Sequence, residues 1–221
     1  PWSPRLAEHF QRKISGASPG GSPASALLRL AAVLHDIAKP ETRTVDADGR
    51  TRFLGHPSAG AAMAVAIVER LRFSVRETKL VETMVREHLR PTQLAQSGPP
   101  SRRAIYRYLR DTGDAAVETL FLSLADHLAT GGQALNLDGW REHAADVELV
   151  LAGYFEETSQ PRPVKLVDGH DLMRVFEIAP GPRLGEMLEA VREAQAAGEV
   201  TTPAEALDLV RRNLLAEASD A

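Results

Sequence analysis

Apolar residues recur at spacings of three and four along most of the chain, and no stretch alternates cleanly as a half-buried strand would. Met63, Ala64, Ile67, Val68 and Leu71 form one helical stripe. Leu80, Val81, Met84 and Val85 form a second, and Ala104, Ile105, Tyr108 and Leu109 a third. Val117 to Leu128 and Trp140 to Phe155 predict two more helices, the latter long. Leu28 to Leu34 is apolar nearly all round apart from Arg29, which predicts a central buried helix. The fold class read from this pattern is all-α, without convincing strands.

Breakers separate the stripes. Gly16 to Pro23 and Ser97 to Pro100 are loops, and Asp46-Ala47-Asp48-Gly49-Arg50 is a turn in which Gly49 is free to take positive φ. Thr158 to Pro163 is the best boundary, giving a domain over 1–157 and a smaller helical tail over 164–221. The tail predicts a short helix near Asp168 to Phe176, a turn at Pro180-Gly181-Pro182 and two further helices. There is no internal repeat.

The 221 residues suffice for a real core, and 43 % apolar with 25 % charged residues is ordinary for a globular protein. The absence of cysteine changes the chemistry more than the averages do. Disulfides and thiolate metal sites are excluded, so any metal must be held by His, Asp or Glu. The longest apolar run, Ala59 to Val68, is far too short to span a bilayer. With no leader visible, a cytoplasmic location and no membrane partner are expected. The chain begins at Pro1 rather than Met, which reads as a piece of something longer.

Net charge is −4 but unevenly spread: between Glu69 and Arg110 ten Lys or Arg face four Glu. Such a zone either attracts a polyanion or is a set of solvated helix faces.

The strongest chemical signal is Leu34-His35-Asp36-Ile37-Ala38-Lys39-Pro40, where an apolar helix ends in a His–Asp pair and Pro40 stops it. The pair alone fits a core histidine with a capping aspartate better than it fits a metal site. Three further features shift the balance. Gly55-His56 precedes a small-residue helix, and His88 lies near the end of the next. Asp126 sits on an otherwise apolar helix, where a carboxylate is costly unless something neutralises it. Two decoys are set aside. Gly16-Ala17-Ser18-Pro19-Gly20 matches G-x-S-x-G, but no strand precedes it and Pro19 lacks the N–H that an oxyanion hole needs. His170, in Asp168-Gly169-His170-Asp171, belongs to a helix start. His127 and His143 read as structural or surface residues.

With these phrases in view, the stretch from Leu28 to Asp126 resembles the HD superfamily of metal-dependent phosphohydrolases, an all-helical bundle. More narrowly, the chain resembles the HD-containing C-terminal region of bacterial tRNA nucleotidyltransferases (CCA-adding enzymes) and poly(A) polymerase-like proteins. The resemblance is carried by His35-Asp36-Ile37-Ala38-Lys39-Pro40, by Phe53-Leu54-Gly55-His56 with Ala59-Gly60-Ala61, and by Arg70-Leu71-Arg72-Phe73-Ser74. In the tail it is carried by Leu166 to Leu172, Pro180-Gly181-Pro182 with Gly185, and Glu193 to Gly198.

The resemblance implies that His35, Asp36 and Asp126 hold a divalent ion: Mn, Mg, Fe, Co, Ni or Zn. His9 is the upstream candidate to complete the shell, the alternative being a surface histidine near the terminus. His56 and His88 match positions that bind a second metal or a phosphate oxygen, and Lys39 is placed to reach the same phosphate. The implied activity is hydrolysis of cyclic or terminal nucleotide phosphates, with Asp36, His56, His88 and Lys39 at the chemistry. The alternative is a degenerate HD scaffold acting as the tRNA-binding body. For that role Arg102, Arg103, Tyr106, Arg107 and Arg110 interleave cations with aromatics on one helix. Nothing matches the nucleotidyltransferase head, with its Gly-Ser phrase and paired Asp residues.

Overall fold

The computed structural model describes residues 3–14, 21–96, 98–131, 136–159 and 164–219. The G-x-S-x-G decoy, Ser97 and residues 160–163 of the expected boundary lie outside them. In chain order the elements are α1 (Pro4–Gln11), β1 (Lys13–Ile14), β2 (Ser22–Pro23), α2 (Ala24–Leu34), β3 (Arg43–Val45), β4 (Thr51–Phe53), α3 (His56–Arg70), α4 (Val75–Glu87) and α5 (Arg90–Leu94). There follow α6 (Arg102–Thr112), a 3₁₀ turn (Gly113–Ala115), α7 (Ala116–Gly131), α8 (Leu137–Ser159), α9 (Gly169–Phe176), α10 (Pro182–Ala197) and α11 (Pro203–Ser219). The protein is predominantly helical, as its periodicity demands.

The chain divides into two compact units. One comprises Pro1–Pro99 with Tyr108–Leu151, the other Pro100–Arg107 with Ala152–Ala221. In the first, α3 packs on α4, and α4 on α2 and α7. Their stripes meet in one core that includes Leu27, Ala31 and Leu34 of α2, Ala61, Ala64 and Val68 of α3, Val81, Met84 and Val85 of α4, and Leu122 of α7. Small residues let the helices approach closely. A Cβ on Gly60 would stand 3.4 Å from Val85 Cγ1 and 3.6 Å from the His35 carbonyl oxygen.

Local signals fix the start of α4. Ser74 caps it, and the Ser74–Glu77 pair forms a reciprocal capping box. The Glu77 carboxylate also accepts the N–H of Ser22, 2.8 Å away, tying the segment before α2 to α4.

In the second unit, α9, α10 and α11 share a core of Leu172, Met187, Val191, Ala206 and Val210. Asp168 caps α9 in a capping box with Asp171, so the phrase around the exposed His170 is helix-start chemistry, as expected.

Three expectations are corrected. The chain has strands: β3 and β4 pair antiparallel about the expected turn, with Arg43 opposite Phe53 and Val45 opposite Thr51. Strands of three residues are too short for alternation to register. Next, α2 ends at Leu34. His35 and Asp36 lie in the hydrogen-bonded turns that follow, where Ile37 N–H donates to the Leu34 carbonyl and Lys39 N–H to that of Asp36. Finally, α2 is not buried all round, since Val33 is 79 % exposed.

Candidate metal centre

Four segments of the first unit deliver five side chains to one place. His35 and Asp36 come from the turn after α2, His56 is the first residue of α3, His88 caps the end of α4, and Asp126 lies on α7. Gly55, at φ 80°, makes the left-handed step that turns β4 into α3 at His56.

The three histidines are held in the same way. Each donates Nδ1–H to the carbonyl three residues earlier: His35 to Ala32 at 2.9 Å, His56 to Phe53 at 2.7 Å, and His88 to Val85 at 2.7 Å. A carbonyl only accepts, so these bonds place the proton on Nδ1. In the neutral ring the lone pair is then left on Nε2. All three Nε2 atoms face the Asp36 carboxylate. His35 Nε2 is 3.2 Å from Asp36 Oδ2, while His56 Nε2 and His88 Nε2 are 3.4 and 3.8 Å from Oδ1. His56 Nε2 and His88 Nε2 are 3.3 Å apart. Asp126 Oδ1 stands 3.5 Å from His35 Nε2.

A cluster of lone pairs and carboxylates suits a cation at its centre. Two of its buried atoms, His35 Nε2 and Asp36 Oδ1, have no well-formed hydrogen bond. Donors sharing one ion at about 2.1 Å stand roughly 3–3.5 Å apart, the scale of the separations here. One donor atom each from His35, Asp36 and His88 lies within 4.8 Å of the others. The residues therefore fit a divalent ion with nitrogen and oxygen ligands.

The shifts of the histidines differ in sign. The Asp126 carboxylate, with help from the Ala32 carbonyl and Asp36, raises the pKa of His35 against the effect of burial. The same pairing lowers that of Asp126. Burial pushes His88, 1 % exposed, downwards, which keeps it neutral as a ligand must be. Lys39 provides a resident positive charge. Its Nζ donates to Asp36 Oδ2 at 2.6 Å and stands 5.7 Å from the centre of the Phe53 ring.

His9, the expected upstream ligand, is engaged elsewhere. Its Nε2 lies 2.9 Å from Oε1 of the fully buried Glu118, which also pairs with Arg12 at 3.1 Å. A buried carboxylate without counter-charges is costly, and these two side chains supply them. His56 and His88, expected at a neighbouring position, join the His35–Asp36 group itself. His143 is structural: its Nε2 lies 2.9 Å from Ser123 Oγ, and its ring stacks on His127.

Three of the residues expected to contact RNA have protein partners within the second unit. Arg107 donates twice to Glu193, at 2.9 and 2.6 Å, and Arg103 reaches Glu193 and Glu199 at 3.6 and 2.5 Å. Tyr106 Oη donates to Glu189 at 3.2 Å. Glu193 is only 8 % exposed and requires this neutralisation. In the first unit, Arg110 pairs with Asp111 at 2.6 Å. Arg102 is exposed.

Sequence reasoning missed Phe53 and Ser22 as supports of the site. The Phe53-x-x-His56 spacing repeats the offset of the other two histidines and was the available signal for the first. Nothing in sequence spacing links Ser22 to Glu77.

Comparison with known proteins matches residues 5–131 to the HD domain, and residues 163–210 to "tRNA nucleotidyltransferase domain 2 putative". The chain is 36 % identical over 190 residues to an A-adding tRNA nucleotidyltransferase of Deinococcus radiodurans, covering 86 % of this chain and 42 % of that protein. It is 36 % identical over 180 residues to a CC-adding tRNA nucleotidyltransferase of Thermus thermophilus, covering 80 % and 38 %. A CC-adding enzyme of Geobacter sulfurreducens is 31 % identical over 149 residues. The chain thus spans less than half the length of the curated relatives it matches. Among the described residues, no helix is long and apolar enough to cross a membrane.

Proposed function

The chain belongs to the HD-domain family, and from that premise we propose that it is a metal-dependent phosphohydrolase acting on cyclic or terminal nucleotide phosphates. The observation that carries the reading is the convergence of three Nε2 atoms on a carboxylate, with two buried atoms left without a hydrogen bond. His35, Asp36, His56 and His88 would hold the ion, and Asp126 would stand at its edge. When bound, a divalent ion supplies Lewis acidity and attracts phosphate oxygens.

The protein's own groups do the rest. Lys39 stabilises the negative charge that grows on the phosphoryl group. Asp126, partly exposed beside His35, orients the attacking water and accepts its proton. The carbonyls of Ala32, Phe53 and Val85 keep each imidazole in one tautomer and orientation.

A second reading is favoured by the tail match and by the relatives' names. In it the chain is the tRNA-binding body of a nucleotidyltransferase, its HD centre being structural. The two readings divide over the proposed two-domain organisation, with an HD domain over 1–157 and a tail over 164–221. In the first the HD domain is the business end, and in the second it is a support.

The test is metal content by elemental analysis, with hydrolysis of a 2′,3′-cyclic nucleotide with and without Mn²⁺, Ni²⁺ or Mg²⁺. Metal-dependent turnover that disappears in His88→Leu and Asp126→Ala is expected. A protein that binds tRNA, but neither holds metal nor turns over with any ion, would leave the tRNA-body reading standing alone.

A further inference from the structure

We infer that the β3–β4 hairpin is a nucleotide-recognition wall of this same centre, with the Phe53 ring receiving the base and Arg43 the accompanying negative charge. The inference rests on the phosphohydrolase reading for the substrate's phosphate, but its own observations are separate. The hairpin is inserted between two ligand-bearing segments, the His35–Asp36 turn and His56. It is fastened at both sides. The Phe53 carbonyl accepts His56 Nδ1–H at 2.7 Å, and Lys39 bridges Asp36 Oδ2 at 2.6 Å to the Phe53 ring at 5.7 Å. The ring therefore stands at a fixed place, one residue away from the ligand carboxylate.

Register adds the cation. Arg43 is the cross-strand partner of Phe53, so both side chains emerge on one face of the ribbon. The other two arginines of the hairpin have acidic partners: Arg52 pairs with Asp46 and Arg50 with Asp48. Arg43 is exposed and has no ion pair among the described residues. A half-buried aromatic ring, an unpaired guanidinium and a phosphate-binding centre together match one ligand class, a nucleotide. Simple phosphate esters use only the last of the three. Stacking on an aromatic side chain tolerates any base, so this wall selects nucleotides without choosing among them.

The experiment compares adenosine 2′-phosphate with glycerol 2-phosphate, two secondary phosphate monoesters that differ in the base. Calorimetric titration of the full chain without added metal measures binding, and kcat/KM with Mn²⁺ measures turnover. The wild type is expected to bind the nucleotide about tenfold more tightly. Phe53→Leu is expected to abolish that preference and Phe53→Tyr to keep it. Arg43→Gln, at an exposed position, is expected to weaken nucleotide binding several-fold at low salt and little at high salt. Equal preference in wild type and Phe53→Leu overturns the inference. Phe53-dependent nucleotide binding without turnover under any ion supports the wall while overturning the hydrolase reading.

Discussion

Glu77 is the side chain whose removal has the most calculable consequence. It is 6 % exposed, and its carboxylate is saturated with donors. Oε1 accepts the Ser22 N–H at 2.8 Å, and Oε2 accepts the Ser74 N–H at 2.8 Å and hydroxyl at 2.7 Å. Burial pushes its pKa up, but the hydrogen bonds from Ser74 and Ser22 outweigh that and bring it from 4.5 to about 2. A depression of this size corresponds to about 3 kcal/mol of stability at neutral pH. The sign follows from the direction. The folded pKa lies below the unfolded one, so the contribution is fully present above about 4.5. It is lost as pH falls from there through about 2. Glu77→Gln removes the charge, and its amide nitrogen must face either the Ser22 or the Ser74 N–H, donor against donor. Urea denaturation of both proteins, followed by far-UV circular dichroism between pH 7 and pH 2, measures the difference. We expect the variant to be about 2–3 kcal/mol less stable at pH 7, with the gap closing towards pH 2. A gap below about 1 kcal/mol at pH 7, or one independent of pH, would refute the reasoning. The variant also releases the tie between the segment before α2 and the start of α4, the two helices that lead into His35 and His88.

Lys39→Met removes the ammonium that shares Asp36 with the ion, so divalent-ion affinity in calorimetric titration should rise several-fold while phosphate turnover falls; weaker ion binding would contradict this. Gly153→Ala should destabilise the second unit by about 1–3 kcal/mol, because its Cβ would stand 2.8 Å from Ile105 Cγ2; an unchanged Tm would show that Ile105 can move aside. Arg107→Met should lower stability by leaving the buried Glu193 under-compensated, and should barely alter tRNA affinity in a filter-binding assay. Lost tRNA affinity with unchanged stability would return Arg107 to the RNA surface.

The helices were legible because their stripes are long and each buries one face. The periodicities of Met63 to Leu71 and Leu80 to Val85 became α3 and α4, and the breaker at Gly49 became the turn it predicted. Val33 escaped because apolarity states what a residue tolerates, not which way its helix faces. The identities of the site residues were legible too, since His and Asp on apolar helix faces need a reason. Their grouping was not. His9 was the natural fourth ligand by order along the chain, yet a carboxylate more than a hundred positions away claims it. His56 lies 21 positions from His35, His9 26 and His88 53, so sequence distance does not sort them, and only the fold could choose among them. Arg103 and Arg107 pose a related difficulty. A cationic stripe looks the same whether it meets phosphate or a buried glutamate such as Glu193.

The charges at the centre bear on what it could act upon. Two carboxylates, Asp36 and Asp126, stand beside one ammonium, Lys39, and three imidazoles whose Nδ1–H groups are taken up by backbone carbonyls. With every imidazole offering a lone pair, as a ligand must, these groups would carry one net negative charge, which would favour a cation. A divalent ion held there would reverse that sign and so would favour an anion. Without Lys39 the loaded centre would be neutral, and the attraction for phosphate would rest on the ion's unscreened coordination alone. On the proposed reading the lysine would weaken the grip on metal and strengthen the grip on substrate, so substitution there should move the two affinities in opposite directions.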